Sequence, residues 1–455
     1  MTFASEIRHS ILFDREKCVA CVACCKACPT GAIRVREDAV KVKPELCIDC
    51  GECIRVCPYD AVSARTSSPS DLKKYRYTVA IPSTTLFSQF GPDVPPARVV
   101  QALKRIGFDT YYDMSFMCEM VGRAVDTYLS DCKGPWPKIS VTCPAIIRLI
   151  QIRYPDLLPH LVPIETPREL TAKLSRRKIA REVGLSVKEI GIFYTTPCSA
   201  IMQSIVAPVG LDESYFDGAF SIAELYGSLR KAMEEEGDGL IEPSFSPKGL
   251  LWAIAGGETA MMRSANTLTL HGVGDVTYAF DRIESGKFQS VDFIEAYICP
   301  DGCVSGPLLV EGRYTAKRTA QQIAGRLGRQ SAVKEEKVRS LFQEHFFDLE
   351  DEVKARAIKP LAPDLRQAVR LKQEKAEILA RLPRKDCAAC GAPDCRTLAQ
   401  DILAGEAIIE DCVFVKLESL PSHPAASGTD SPGGPGAGIE HPETTTRPRG
   451  RKRRT

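Results

Sequence analysis

The 455-residue sequence lacks any long apolar run: its longest uncharged stretch, Ile190 to Leu211, is broken by threonine, proline, serine and glutamine and does not read as a membrane span, and the first thirty residues hold no apolar signal stretch. An excess of charge of one sign is missing too. With 60 basic against 58 acidic residues, no bulk field points to nucleic acid or to acidic substrates. Histidine is scarce at six, and no Ser-His-Asp arrangement is legible. Gly272-Val-Gly274-Asp275 lacks the third glycine of a dinucleotide fingerprint, and no G-x4-G-K-S/T phosphate loop occurs. Hydrophobic residues at 44% and charged residues at 26% are ordinary for soluble globular proteins, and the length suits a modular chain of roughly three domains. The outlier is cysteine. There are 19, an odd number, which in a chain without a signal stretch points to a reducing, cytoplasmic setting and to metal ligation or redox chemistry.

Cysteine position divides the chain: nine fall between Cys18 and Cys57, four between Cys387 and Cys412, and six between those blocks. A polar, Pro-containing joint at residues 66–75 follows the first block. Tyr77 to Ile81, Lys138 to Val141, Ile190 to Tyr194 and Val291 to Ile298 then read as short buried strands. Segments with helical spacing, such as Pro95 to Ile106 and Ala145 to Ile152, separate them, and this alternation predicts α/β lobes with largely parallel sheets. Leu365 to Leu382 has the spacing of an amphipathic helix, with Leu365, Ala368, Leu371, Ile378 and Leu382 as its buried stripe, propping the last cysteine block against the body. From about Leu420 the chain turns Pro-, Gly-, Ser- and Thr-rich and ends in a run of arginine and lysine, a composition expected to be disordered.

Cys18, Cys21, Cys24 and Cys28-Pro29 give C-x2-C-x2-C-x3-C-P, and Cys47, Cys50, Cys53 and Cys57-Pro58 give it again. In such a repeat three thiolates wrap one cubane and the fourth, before proline, crosses to the other. The expected sets are Cys18, Cys21 and Cys24 with Cys57, and Cys47, Cys50 and Cys53 with Cys28, leaving Cys25 surplus. Zinc is the alternative ligand for short knuckles. The stretch resembles a bacterial two-cluster ferredoxin, a module of α+β build that moves electrons singly.

Three central segments share one grammar, in which an apolar strand ends with a thiol beside a proline: Val141-Thr142-Cys143-Pro144, Thr196-Pro197-Cys198 and Ile298-Cys299-Pro300-Asp301-Gly302-Cys303. Carboxyl ends of parallel strands are where α/β sheets place ligands, so these four thiols can converge. The alternative is that they are small buried hydrophobes. At these residues the chain resembles the iron-only (FeFe) hydrogenases, whose T-S-C-C-P, M-P-C-x-x-K and C-x-x-x-C motifs hold a 4Fe-4S cubane joined to a diiron unit bearing carbon monoxide and cyanide. Cys143 matches the second cysteine of the first motif, Cys198 the second motif, and Cys299 with Cys303 the third. The resemblance makes Cys303 the bridge to the diiron unit. Ile106-Gly107-Phe108-Asp109 and Tyr112-Asp113 are similar to the stretch ahead of the first motif.

Departures matter as much as matches. Thr142 stands where active members carry a proton-passing cysteine, and an aliphatic hydroxyl does not ionise in the useful range. Ile201 replaces a lysine that hydrogen-bonds cyanide, Ala124 and Val125 replace paired glutamates, and Tyr297 replaces a methionine. Tyr297, Cys118 and Glu119 are the residues that could substitute as proton carriers, so Thr142, Tyr297 and Glu119 are the expected catalytic positions. This pattern looks like the divergent sensory branches, which carry a further cluster domain behind the hydrogenase lobes. Many of those append a PAS or kinase module, and none is legible here.

Cys387-x2-Cys390-Gly391-x3-Cys395 with Cys412 completes a four-thiol set resembling the small 4Fe-4S domain of corrinoid iron-sulfur proteins, with zinc again the alternative. Cys25, Cys118 and Cys132 remain unassigned. The expected division is a two-cluster domain at 1–66, hydrogenase-like lobes at 77–345, connecting helices at 346–383, a small helical cluster domain at 384–419 and a tail at 420–455. Two functions compete: slow dihydrogen oxidation, evolution or sensing with a redox partner protein (ferredoxin, flavoprotein or signalling protein), and electron transfer or iron-sulfur assembly with only a cubane at the central site. Four cubanes predict about 16 irons per chain, and about two more with a diiron unit. Iron and acid-labile sulfide measured after anaerobic reconstitution check this, and a value near eight irons would remove the central and last sites together.

Overall fold

The structure is a computed structural model that describes residues 9–36, 39–235, 245–263, 266–328, 331, 333–356 and 364–419; the tail expected at 420–455 lies outside the described residues. Eleven strands lie among the described residues: β1 (Ile11–Phe13), β2 (Ile33–Arg36), β3 (Ala39–Val42), β4 (Val62–Ala64), β5 (Tyr77–Pro82), β6 (Thr110–Tyr111), β7 (Lys138–Ile139), β8 (Ile190–Thr196), β9 (Gly218–Ser221), β10 (Thr267–His271) and β11 (Phe293–Tyr297). In the first cysteine block, antiparallel β1–β4 and β2–β3 ladders bracket the short helices Ala23–Ala27 and Glu52–Arg55.

The rest of the sheet structure is parallel, as the alternation of strand and helix requires. One sheet has the order β6-β5-β8-β9 and the other β10-β11-β7. Helices cover such sheets on both faces, so the central strands are buried while the edge strands β6 and β10 are half-buried: every residue of β8 and β11 is buried, and only Tyr77 of β5 is not. β7 ends at Ile139 rather than at the expected Val141. Beyond it the Thr142 amide turns to the Ser140 hydroxyl, 3.1 Å away, and leaves the ladder. At residues 66–75 the polar joint folds into a short helix, Pro69–Leu72, closed by a reciprocal Ser68–Asp71 cap.

The helix Leu365–Arg381 forms where expected, but its stripe is not buried as expected. Leu365 is 79% exposed, and only Leu382, just past the end, is fully covered. Ile378, Leu379 and Leu382 pack on Cys395, Leu398 and Ala399 of the last block itself. What joins that block to the body is a charged contact with β2 and β3, in which Asp401 meets Arg34, Arg36 and Lys43.

The first block is keyed to the parallel lobes through Asp49. Its buried carboxylate accepts hydrogen bonds from the Ser10 amide at 2.7 Å, the Ser10 hydroxyl at 2.9 Å and Arg148 at 3.1 Å, while the Ser199 hydroxyl donates to its carbonyl at 2.7 Å. Next to it Gly51, at φ +74°, lies so close to Pro307 that a Cβ would sit 2.4 Å from its ring. Replacing Asp49 by Ala leaves Arg148 buried without a counter-charge, and breaking such a pair costs about 3–5 kcal/mol. The expected outcome is release of the first block, read as faster limited proteolysis near residues 66–75, with Asp49→Asn milder because the Ser10 bonds survive.

Candidate iron-sulfur and active sites

All three cysteine turns of the lobes leave the carboxyl ends of parallel strands. Cys143 caps the helix Pro144–Arg153 after β7, and Cys198 caps Ser199–Val206 after β8. Cys299 and Cys303 follow β11 around Gly302, whose φ of +88° and ψ of −161° only glycine adopts freely, and whose missing side chain leaves room for the Ala253 carbonyl. The four thiols come together from both sheets. Burial pushes each upward, Cys198 to about 11, and their mutual charge adds to it: Cys143 bears on Cys198, both bear on Cys299, and all three bear on Cys303. Four mutually repelling thiols, Cys143 and Cys299 buried and Cys198 and Cys303 half-buried, fit a cationic iron-sulfur core, because coordination removes the thiol proton outright. Two guanidinium groups attend them. Arg168 acts on Cys143, Cys198 and Cys303, donates to the Thr142 carbonyl at 3.3 Å and keeps a buried Nε without a partner. Arg55 reaches in from the first block, donating to the Ser305 carbonyl at 2.6 Å and to Cys299 Sγ at 3.6 Å.

On the proton side, the structure places a carboxylate where sequence reading left a gap. The Thr142 hydroxyl donates to Glu258 Oε2 at 3.3 Å, and the Ser140 hydroxyl to the same oxygen at 2.6 Å. Burial, then the charge of Glu295, pushes the Glu258 carboxyl up to about 8. Glu295 is itself raised by burial and is held by the amides of Gly256, Glu258 and Thr259 and by the Thr259 hydroxyl at 2.9 Å. Glu258 lies 116 residues from Thr142, so no spacing joins them. The legible signal was Glu295, an acid in the middle of the wholly buried strand Phe-Ile-Glu-Ala-Tyr.

The other expected carriers have partners of their own, and Tyr297 and Cys118 lie near enough to Glu258 for its charge to act on them. Tyr297 donates its hydroxyl to the Trp252 carbonyl at 2.9 Å, and burial pushes the phenol well above its ordinary range. Glu119 accepts from Ser246 at 2.7 Å and Arg123 at 3.2 Å. Cys118 is fully buried, its thiol pushed up by burial and then by the charges of Asp113 and Glu258. Ala124, Val125 and Ile201 all belong to the apolar core.

In the first block, Cys28 lines one small cavity with Cys47, Cys50 and Cys53. Cys18 and Cys21 both bear on Cys24, which packs with Cys57. The repeat extends past the thiols: the Ala32 amide donates to Cys28 Sγ at 3.2 Å and the Ala61 amide to Cys57 Sγ at 3.4 Å, each four residues on. In the last block Cys390, Cys395 and Cys412 share one apolar cluster, and Cys412 and Cys387 bear on Cys390. Among the described residues no three His, Cys, Asp or Glu side chains approach closely enough to hold a single metal ion. Surplus Cys25 is buried between the blocks, and Cys132 meets the Tyr128 hydroxyl at 3.5 Å.

These features define an iron-sulfur protein built on α/β lobes. The family described as iron only hydrogenase large subunit, C-terminal domain, matches residues 76–231 and 253–307, a 4Fe-4S dicluster domain matches 17–61 and an Fe-S cluster family matches 382–414. Iron hydrogenase 1 of Clostridium pasteurianum is 24% identical over 265 residues, 48% of this chain and 46% of its own length, so the chain spans about half of that relative. The periplasmic Fe hydrogenase large subunit of Nitratidesulfovibrio vulgaris is 24% identical over 361 residues, 66% of this chain and 86% of its length. Among solved structures, a variant of FeFe-hydrogenase HydA1 from Chlamydomonas reinhardtii overlays at a TM-score of 0.48 and 15% identity, covering 64% of this chain and 98% of that one. Residues 76–307 thus match the iron-only hydrogenase family, with a matched cluster domain on either side. No helix among the described residues is long and apolar enough to cross a membrane.

Glu258 holds its proton until the pH rises through about 8, so it can donate below that value and accept above it. Any dihydrogen evolution that uses it should fall as pH rises through that window, and oxidation should rise across the same window. Glu258→Gln should remove both limbs and lower turnover by about 10²-fold or more, the contribution of a positioned acid or base, as checked by pH-rate profiles in each direction.

Proposed function

We propose that the chain handles dihydrogen at low turnover, as a slow hydrogenase or a dihydrogen and redox sensor of the cytoplasm, with electrons relayed singly through 4Fe-4S clusters to a redox partner protein. The observation that carries this reading is the meeting of Cys143, Cys198, Cys299 and Cys303 beside a Thr142–Glu258 hydrogen bond. Cys143, Cys198, Cys299 and Cys303 would hold the central cubane, and Cys303 would bridge it to the diiron unit. When bound, that centre supplies heterolytic exchange between dihydrogen, protons and electrons. Three accessory clusters would lie on Cys18, Cys21, Cys24 and Cys57, on Cys28, Cys47, Cys50 and Cys53, and on Cys387, Cys390, Cys395 and Cys412. The working division is 1–66, 77–345, 346–383 and 384–419.

Thr142 is the slow element. Its hydroxyl passes a proton to Glu258 only by exchanging hydrogen bonds, since it does not ionise. Glu258 stores that proton in a dry pocket, and Glu295 beside it resists a second negative charge. Arg168 and Arg55 bring positive charge to a site whose ligands are anionic once coordinated. Buried Ile201 favours the second reading, a cubane alone in an electron-transfer or iron-sulfur assembly protein, because it offers no donor to cyanide.

Infrared spectroscopy after maturation separates the two: bound carbon monoxide and cyanide absorb where protein does not, and their absence from a fully matured sample would leave the second reading. In a sample with verified bands, Thr142→Cys should speed turnover by less than the roughly 10²-fold that a complete acid-base group contributes, as the receiving carboxylate at Glu258 differs in place from the usual pair. Wild-type turnover equal to that of ordinary hydrogenases would sink the claim of a slow proton step.

A further inference from the structure

The contact between the last cysteine block and the first is built around one buried acid. Asp401 is 1% exposed, and its carboxylate takes Arg34 in a fork at 2.6 and 3.0 Å, Arg36 at 2.7 Å and Lys43 at 3.4 Å. Lys43 also meets Glu406 at 2.8 Å. Three cations from one hairpin on a single carboxylate form a network of charge-assisted bonds, and burial gives it a fixed geometry. Immediately beside it the backbones touch. The Val35 amide donates to the Gly391 carbonyl at 2.9 Å, and Gly391 sits at φ +75° with no clearance, since a Cβ would fall 1.5 Å from the Val35 carbonyl oxygen.

Gly391 follows Cys390 directly, so this contact sets where the last thiol block stands relative to the first. The residue on the other side is Cys25, which no cluster set needs. Its thiol lies 3.3 Å from both the Gly391 and the Ile33 carbonyls, and Cys24, Cys28 and Cys390 all lie near enough for their charges to act on it. One neighbour of each first-block set and one thiol of the last block therefore surround one buried side chain. At the other end of the first block, Arg55 touches Cys299.

We propose that Asp401 is a latch that fixes the last block on the first across the Cys25–Gly391 contact, making the last block the outer station of a single electron relay that ends at the central thiols. The step is one electron leaving the last block's cluster, which is oxidised by one unit, and arriving at a first-block cluster, which is reduced by one unit; no bond forms or breaks. Cys387 is exposed while Cys395 and Cys412 are buried, so the outer face of this station is open to a redox partner at Cys387. This rests on the proposed reading that both blocks carry 4Fe-4S clusters.

The test uses the full, anaerobically reconstituted chain reduced by dithionite, with electron paramagnetic resonance of the coupled clusters as readout. Wild type should give signals broadened by spin-spin coupling between the last and first blocks. Asp401→Ala should keep its full iron and sulfide while that coupling is lost, and Arg36→Gln, which removes one of three cations, should weaken it partway. Should Asp401→Ala fail to fold, the Arg36→Gln and Lys43→Gln pair carries the test. Full iron with coupling unchanged in these variants would overturn the latch and leave the cluster reading intact. A wild-type chain short by four irons would overturn the reading of the last block, and the latch with it.

Discussion

Buried thiol charge is the constraint on which the rest of the structure depends. A cysteine at the end of an apolar strand is unremarkable, but four in one pocket cannot all ionise without a cation among them. The fold meets that demand in part with guanidinium groups brought to the strand ends from outside the strands, Arg168 from the helix Pro167–Val183 and Arg55 from the first block. The same logic repeats at the periphery, where buried Asp49 is matched to Arg148 and buried Asp401 to Arg34, Arg36 and Lys43. Each unit is joined to its neighbour by one enclosed carboxylate, so charge compensation sets where the modules sit.

How much of this was readable follows from what each feature depends on. The first block was legible because its ligand spacing is local and occurs twice. The central thiols were legible because a strand, a proline and a cysteine stand together in the chain three times. The parallel sheets followed from apolar runs buried on both faces. Glu258 was not legible, since its meaning comes from a hydroxyl 116 residues away and its segment holds only short turns. Asp401 was hidden likewise: it sits on the helix Cys395–Leu403, where an acid usually faces water, and only the hairpin β2–β3 puts it inside. Leu365 shows the reverse error, a periodic leucine that has the right spacing and nothing to pack against.

Beside the central thiols the fold encloses a pair of acids. Ala124 and Val125 lie in the apolar core, while two buried acids stand beside the turn at Gly256 and on β11. Glu258 and Glu295 sit near one another in a dry setting, so the pair holds less than two charges at neutral pH. Such a pair shares its charge, so that losing the proton from one acid is opposed by the other.

The walls of the central site come from two sheets and three strand ends, Cys198 from one sheet and Cys143, Cys299 and Cys303 from the other. This has a consequence for biogenesis. The first block is complete once residue 64 has left the ribosome, whereas the central pocket does not exist until residue 303 has emerged and both sheets have closed. Assembly therefore has a built-in order: the thiol sets of the first block are complete while the chain is still being made, the central set comes after them with Arg55 arriving from a block already formed, and the last block, at residues 387–412, comes later still.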